Sequence, residues 1–230
     1  MAVRANHLVP AVADSPLDLR ALELAPGERG ELTETERDTL LFVVAGRGSL
    51  QVGGSAAELA PRDAALVLAG EDAVLEAGPD DLQVVQATVG SEADRHAPLG
   101  TRDLVVSLDD AGSEKATGAR SFQLLFGPHN GSTRATLFGG FIPRGRAPWH
   151  YHLYDEIVWV LDGPGRLHLG GAATDLGPGS AFRLRPREVH IVENASDETG
   201  LAVLGVFTPA GSPSAAYLTP DVAAEYRFAG

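Results

Sequence analysis

The chain has 230 residues, of which 44% are hydrophobic, and its formal net charge of -13 gives a pI near 4.9. Phosphate recognition rests on clustered lysine and arginine, so this acidic composition argues against nucleic acid as a partner. The sequence contains no cysteine, which excludes a disulfide framework, a thiolate metal site and a cysteine nucleophile. Because no apolar run approaches a signal peptide or a membrane span, we expect a cytoplasmic protein without a membrane partner.

Short strands joined by tight turns are the secondary structure that the sequence predicts. Glycine and proline are frequent, with 27 and 15 residues, and helix is therefore expected to be a minor component. Strand-like runs cover residues 40–44 and 50–52 in the first half and residues 157–161 and 166–169 in the second half. A Gly-Arg-Gly or Gly-Pro-Gly turn separates the runs, and a Gly-Gly pair follows them. This rhythm is typical of an antiparallel β-barrel or jelly roll, present twice.

An internal repeat supports this reading, because a shift of 117 positions aligns the two halves without a gap over a useful length. The matched pairs are Gly46 with Gly163, Gly48 with Gly165, Leu50 with Leu167, Gly53-Gly54 with Gly170-Gly171, Leu59 with Leu176, Pro61 with Pro178, Ala64 with Ala181 and Glu71 with Glu188. We predict an N-terminal barrel over residues 1–106 and a C-terminal barrel over residues 121–230. The polar stretch 107–120, which has little capacity to pack, is the predicted linker.

The second half contains a candidate metal site in the run from Trp149 to Glu156. Alternate residues of an extended segment face the same way, so His150, His152 and Glu156 share one parity and are expected to point into the barrel interior. His190, from a later strand, completes a set of three imidazoles and one carboxylate. Such a set suits one divalent first-row transition metal per chain (Fe, Mn, Ni, Co or Zn), with positions open for substrate, water or dioxygen.

The first half lacks every one of these ligands. The 117-residue shift places Thr33, Thr35, Thr39 and Ala73 at the four positions. The N-terminal barrel is therefore expected to be a degenerate copy without metal ligands, and the chemistry is assigned to the C-terminal barrel.

Two residues of the run are candidate catalytic groups. Glu156 is a metal ligand and a candidate proton acceptor. Tyr154 has the ligand parity, so its hydroxyl is a candidate donor or general acid, unless a bulge after His152 turns it away. Asp155 is interpreted as an acceptor that orients a histidine N–H or, with better support, as a solvated carboxylate.

Two further segments are open to more than one interpretation. Arg183, Arg185 and Arg187 alternate along the segment that leads to His190, where a guanidinium would clamp a carboxylate or enolate oxygen. The better supported alternative is that they face solvent or pair with the many acids of the chain. The small-residue segment 208–217 is expected to cover a barrel mouth or to cross to a neighbouring subunit.

The metal-site residues resemble the two motifs of the cupin superfamily. The first motif, G-x5-H-x-H-x3/4-E-x6-G, reads here Gly145-x4-His150-x-His152-x3-Glu156-x6-Gly163, one residue short at its start. The second, G-x5-P-x-G-x2-H-x3-N, is looser and reads Gly179-x6-Pro186-x3-His190-x3-Asn194, with Glu188 in place of the internal glycine. The resemblance implies an all-β bicupin, two tandem jelly-roll barrels with a metal site in the C-terminal one only.

The resemblance also implies a class of reaction. It indicates a metal-dependent enzyme that acts on a small enol, keto or carboxylate metabolite, foremost a non-heme dioxygenase similar to quercetinases. A metal-dependent isomerase or lyase of the same fold and a non-catalytic small-molecule-binding cupin are the alternatives. A full ligand set in one copy and none in the other favours catalysis. Because cupin sheets often pair in the family, we also expect a homodimer.

Overall fold

The computed structural model describes residues 3–116, 119–196 and 198–218. Within these residues the chain forms 22 β-strands and one short 3-10 helix, Pro128–Asn130. The strands are β1 Arg4–Val9, β2 Leu17–Leu24, β3 Arg29–Glu31, β4 Asp38–Ala45, β5 Gly48–Val52, β6 Ser55–Leu59, β7 Asp63–Val67, β8 Ala73–Ala77, β9 Leu82–Val89, β10 Val105–Ser107, β11 Ser113–Lys115, β12 Ser121–Phe126, β13 Thr136–Ile142, β14 Gly145–Arg146, β15 His150–His152, β16 Asp155–Asp162, β17 Gly165–Leu169, β18 Ala172–Leu176, β19 Ala181–Leu184, β20 His190–Asn194, β21 Leu201–Thr208 and β22 Ala216–Leu218.

The strands form four antiparallel sheets, two from each half of the sequence. A six-stranded sheet in the order β1-β2-β9-β4-β7-β10 and a four-stranded sheet in the order β3-β8-β5-β6 make up the N-terminal barrel. A six-stranded sheet in the order β11-β12-β13-β21-β16-β19 faces a second one in the order β18-β17-β20-β15-β22, with β14 beside β20, in the C-terminal barrel. The prediction of an all-β jelly-roll fold with minor helix is confirmed.

Apolar clusters hold the sheets together, and the three largest contain most of the buried apolar side chains of the described residues. Within the N-terminal barrel, Leu41 and Val43 of one sheet pack with Leu50 and Leu75 of the other. Within the C-terminal barrel, the interior includes Val158, Val160, Leu167 and Val192. The third cluster lies between the barrels, where Leu40, Phe42, Leu66 and Val85 contact Leu137, Ile157, Trp159 and Val206. The two sheets that meet there are covered on both faces, as expected for their nearly continuous apolar strands.

The backbone repeats what the sequence repeat predicts. Gly46 and Gly163, at equivalent turns, have left-handed φ values of 80° and 84°, which favour glycine. Glu71 and Glu188 each cap the loop before them, because their Oε2 atoms accept the N–H of Leu68 and of Arg185, both at 2.8 Å. Glu188, which replaces the internal glycine of the second cupin motif, therefore caps its loop in the same way as Glu71 does in the N-terminal barrel.

The stretch 107–120 packs more than its polar composition indicates. Leu108 is fully buried in the cluster between the barrels, and β11 pairs with β12. The amide of Gln123 donates to the carbonyl of Leu108 at 3.0 Å. Residues 117 and 118 lie outside the described residues.

The segment 208–217 folds back on its own barrel. Thr136 Oγ1 donates to the carbonyl of Gly211 at 2.9 Å, and β22 pairs with β15. Of the two expectations for this segment, the described part meets the first, cover of a barrel mouth. The predicted C-terminal domain continues to residue 230, but residues 219–230 lie outside the described part. Among the residues that are described, no helix has the length and apolar character needed to cross a membrane.

Candidate metal centre

The four predicted ligands come from three strands and meet inside the C-terminal barrel. His150 and His152 lie on β15, and His190 on β20 is the register partner of His150. Glu156 lies on β16 of the facing sheet. All four side chains are buried and line one cavity.

The four side chains meet for a different reason from the one predicted, which was that alternate residues of one strand face the same way. The run is not one extended segment, because β15 ends at His152, β16 begins at Asp155, and the chain crosses between sheets at Leu153 and Tyr154. Glu156 therefore approaches the histidines from across the barrel. The prediction of a single strand is wrong, while the shared cavity is the one expected.

Each of the three imidazoles has its Nδ1 atom next to a backbone carbonyl oxygen. The distances are 2.9 Å from His150 to Pro148, 2.8 Å from His152 to Tyr154 and 2.8 Å from His190 to Glu188. A carbonyl can only accept a hydrogen bond, so Nδ1 carries the proton in all three rings. In the neutral tautomer that this selects, the Nε2 lone pairs remain available, which is the arrangement that a metal ligand requires.

The contact between His152 and Glu156 has the spacing of two ligands of one ion. Nε2 of His152 lies 2.9 Å from Oε2 of Glu156, yet the contact lacks the angular geometry of a hydrogen bond, and Nε2 is a buried polar atom without a partner. Two donors about 2.1 Å from one ion and at right angles to each other lie about 3 Å apart. The orphaned nitrogen and its neighbouring carboxylate therefore fit a cation between them.

The donor set is not closed around a finished coordination geometry. Among the described residues, no three histidine or acidic side chains stand as a ready-made metal-ion cage. The ring centroids of His150 and His152 lie 4.4 and 5.0 Å from that of His190, which brings His190 close to both of the other imidazoles. The fit to a metal therefore rests on the nitrogen tautomers, the orphaned Nε2 atom and the chemistry of the set.

Burial determines which imidazoles are neutral. It lowers the pKa of His150 to about 3, together with the charges of His190 and Arg120, and it also lowers the pKa of His190. Burial acts in the same direction on His152, but the Glu156 carboxylate outweighs it and raises the pKa of that imidazole. Burial thus favours the neutral form of His150 and His190, and the neighbouring carboxylate opposes this effect at His152.

The cavity is small and mostly apolar. Its volume is about 80 Å³, well below the ~300–1,000 Å³ of pockets that take drug-sized ligands. The apolar walls include Phe122, Phe138, Ile142, Val158, Leu184 and Val192. A small metabolite in a nearly dry environment is the occupant that these dimensions favour.

Tyr154 also lines the cavity. Its ring stacks on His152 and on Phe207, with centroid distances of 4.1 and 4.0 Å, and its hydroxyl donates a long bond of 3.3 Å to the carbonyl of Pro213. Burial and the charge of Glu156 raise the pKa of Tyr154, so the phenol stays protonated. The crossing between sheets after His152 therefore leaves the Tyr154 side chain in the site.

Asp155 and the arginines have roles outside the cavity. The interpretation of Asp155 as a solvated carboxylate is wrong, because this side chain is buried between the barrels and accepts hydrogen bonds from Ser15 and Arg183. Arg185 pairs with Asp14 on the surface. Arg183 and Arg185 therefore pair with acids, the better supported of the two sequence interpretations. Arg187 donates its backbone N–H to the carbonyl of His152 at 2.8 Å.

Sequence reasoning missed one charged residue of the cavity wall. Arg120 lines the cavity, and its charge contributes to the pKa values of three site residues, His150, His190 and Tyr154. The sequence did not indicate this role, because Arg120 ends the polar stretch 107–120 that was predicted to be a linker.

Part of the second half of the chain is similar to a known protein family. Residues 139–207 match the sequence model of the cupin domain family. This segment contains all four candidate ligands. A comparison with the curated proteins finds no match.

Solved structures with the same fold span most of the chain. A glyoxylate-induced protein of Pseudomonas aeruginosa has a TM-score of 0.77 at 16% identity, covering 90% of this chain and 79% of that one. A variant of Bacillus subtilis oxalate decarboxylase has a TM-score of 0.75 at 13% identity, covering 94% and 75%. A cupin barrel protein of Leptotrichia buccalis has a TM-score of 0.64 at 15% identity, covering 90% and 88%. The likeness shows a cupin fold.

Proposed function

We propose that this protein is a metal-dependent bicupin enzyme that acts on a small enol, keto or carboxylate metabolite, with dioxygenase chemistry as the leading reaction. One divalent first-row metal per chain is held by His150, His152, Glu156 and His190. The observation that carries the proposal is the common tautomer of the three histidines. Each imidazole donates its Nδ1–H to a nearby backbone carbonyl, so its Nε2 atom is unprotonated and available to a metal in the cavity.

The donor set suits several ions. Imidazole and carboxylate ligands accept Fe, Mn, Ni, Co and Zn, and geometry and supply decide among them. Oxalate decarboxylase of Bacillus subtilis, a structural neighbour at 13% identity, has Mn(II) centres, which makes Mn(II) one candidate here. When bound, such an ion supplies a Lewis acid that polarises an enol or carboxylate oxygen.

The remaining steps belong to side chains of this cavity. Glu156 is the carboxylate that can take a proton from a substrate carbon or hydroxyl. Tyr154 keeps its proton and can donate a hydrogen bond from Oη to a bound oxygen, because its present bond to Pro213 is long. The apolar walls exclude water from this exchange.

Isomerase or lyase chemistry is the second candidate. It needs the same polarised oxygen without dioxygen, and the neighbour that is named as a decarboxylase favours it. Oxygen consumption separates the candidates. Metal-loaded protein supplied with enols and keto acids should consume oxygen if the dioxygenase proposal holds. Turnover without oxygen uptake would instead indicate the isomerase or lyase, and inertness toward every substrate would indicate a small-molecule binder.

Metal content tests the site itself. Elemental analysis of the purified protein should find one divalent metal per chain, and His152→Ala should lose it. Thr35→Ala changes the exposed repeat equivalent of His152 and should leave the metal content unchanged. Two metals per chain would contradict the asymmetry of the barrels, and full metal content in His152→Ala would contradict the ligand assignment.

A further inference from the structure

The ring of Phe138 stands beside the carboxylate of the candidate ligand Glu156. Phe138 on β13 is the register partner of Gly205 on β21, and Gly205 is in turn the partner of Val158 on β16. A Cβ atom at Gly205 would lie 2.3 Å from the Phe138 ring and 3.0 Å from Oε1 of Glu156. Because Gly205 has no side chain, the ring can occupy the space next to the carboxylate.

Neighbouring aromatic rings hold Phe138 in this position. Phe122 and Phe207 meet it edge to face, with centroid distances of 6.4 and 6.0 Å, an arrangement that aromatic pairs prefer. A Cβ atom at Gly140, on the same strand, would already lie 3.4 Å from the ring. Phe138 is 9% exposed and lines the cavity. Because such close packing leaves little space for another rotamer, the ring is a fixed part of the cavity wall.

The cavity that the ring borders holds few atoms. Its volume is about 80 Å³, and one water molecule needs at least about 10–15 Å³ of a cavity. The cavity therefore has room for about 5–8 non-hydrogen atoms, a bound ion included. A ligand of two or three carbons meets this limit, whereas a fused aromatic enol exceeds it.

From this geometry we propose that Phe138 determines the size of the ligand and that the cavity takes keto or carboxylate metabolites of two or three carbons. The proposal rests on the proposed metal-dependent function and narrows its substrates by length. The ring limits the space at the side of Glu156 that faces β13 and β21. A longer chain bound to the metal would therefore collide with the ring.

The test uses a series of keto acids that share one head group and grow by one carbon at a time: glyoxylate, pyruvate, α-ketobutyrate and α-ketovalerate. Binding to the Co(II)-loaded protein is followed by the visible absorption of the ion. Wild-type protein should bind α-ketovalerate at least tenfold more weakly than pyruvate. Phe138→Ala should bind the two equally within threefold, because the space of the ring becomes available, and Phe138→Leu should fall between.

Phe126→Leu is the matched control. Phe126 is fully buried in the cluster between the barrels and is not among the described residues that line the cavity. The variant loses an equally buried ring and should keep the wild-type preference for pyruvate. Metal content and thermal unfolding are measured on every variant, and Phe138→Leu carries the test if Phe138→Ala does not fold.

The outcomes separate the two proposals. A fully metallated Phe138→Leu with the wild-type preference would overturn the role of Phe138 and leave the metal function standing. Metallated wild-type protein that binds α-ketovalerate as tightly as pyruvate, or that binds none of the four acids, would overturn the proposed ligand class. Wild-type protein that takes up no divalent metal would overturn the proposed function itself.

Discussion

Asp38 and Asp155 occupy equivalent positions in the two barrels, 117 residues apart, and each carboxylate is buried against a residue of the other barrel. Asp38 begins β4 and forms an ion pair of 3.2 Å with Arg134, which precedes β13. Asp155 begins β16 and accepts a hydrogen bond from Ser15, which precedes β2, and a second from Arg183. The two interactions join the barrels in a reciprocal way, and one of them lies beside the candidate ligand Glu156.

The pair of Asp38 and Arg134 predicts a large effect on stability. Both side chains are about 5% exposed, so Arg134→Met leaves a buried carboxylate without its cation. We expect the free energy of unfolding to fall by about 3–5 kcal/mol, measured by urea denaturation. The double change Asp38→Asn with Arg134→Met should recover much of this loss, because no unpaired charge remains.

The control is the surface pair of Arg166 and Asp175, whose members are largely exposed. Arg166→Met should leave stability unchanged within error, as is usual for solvent-screened ion pairs. Equal losses for Arg134→Met and Arg166→Met would show that burial of the first pair is not what matters.

Glu71 should contribute a pH-dependent part of the stability. Partial burial raises the pKa of this carboxyl, but its hydrogen bonds from Arg102 and from the Leu68 N–H, with the Arg102 charge, outweigh burial and leave the pKa below the usual 4.5. A lowered folded-state pKa stabilises the fold above the unfolded-state value, and this stabilisation is lost as pH falls through the folded-state value. The free energy of unfolding of wild type should therefore exceed that of Glu71→Gln at pH 7, with the gap closing as the pH falls through the lowered pKa of Glu71.

Arg102→Gln provides the cross-check. It removes the bidentate partner of Glu71, one of whose contacts measures 2.7 Å, and should reduce the same acid dependence. Denaturation curves at a series of pH values measure both variants. A gap between wild type and Glu71→Gln that widened on acidification would contradict the sign of this prediction.

Gly205 on β21 should be required for metal binding although it has no side chain. A Cβ atom there would lie 2.3 Å from the ring of Phe138 and 3.0 Å from Oε1 of Glu156. Gly205→Ala must therefore displace the Phe138 ring and press on the carboxylate of the candidate ligand Glu156, and we expect metal affinity to fall tenfold or more, about 1.4 kcal/mol. Titration of the metal-free protein with Mn(II) or Co(II) measures this, and circular dichroism checks the fold. Gly112→Ala, where a Cβ meets open space, should bind metal as wild type does.

Local periodicity predicts much of the fold and part of the site. Alternation along β16 separates Glu156 and Val158, which face the barrel interior, from Ile157 and Trp159, which face the other barrel. Trp159 therefore packs away from the face that carries the candidate ligands. The crossing between sheets at residues 153–154 was missed because no glycine or proline marks it.

Contacts between residues that lie far apart in the chain could not be predicted from the sequence. Ser15 and Asp155 are 140 positions apart. Because no residue near Asp155 in the sequence indicates this contact, Asp155 was interpreted as a solvated carboxylate. Arg120 was hidden for the same reason, since the turn that brings it to the cavity is fixed by pairing of β11 with β12. The homodimer stays a prediction, which light scattering tests.

The repeated turns predict a difference between two glycines of the same barrel. Gly163 and Gly170 both have left-handed φ values, 84° and 59°, so alanine at either should cost about 1–2 kcal/mol of backbone strain. At Gly163 a Cβ would also lie 2.3 Å from the carbonyl oxygen of Gly200, whereas at Gly170 it meets nothing within 4 Å. Gly163→Ala should therefore be clearly more destabilising in urea denaturation than Gly170→Ala. Gly46→Ala, which meets the Asp81 carbonyl at 2.1 Å in the equivalent turn, should match Gly163→Ala. If it instead resembled Gly170→Ala, the two turns would not share the close backbone approach that the repeat requires.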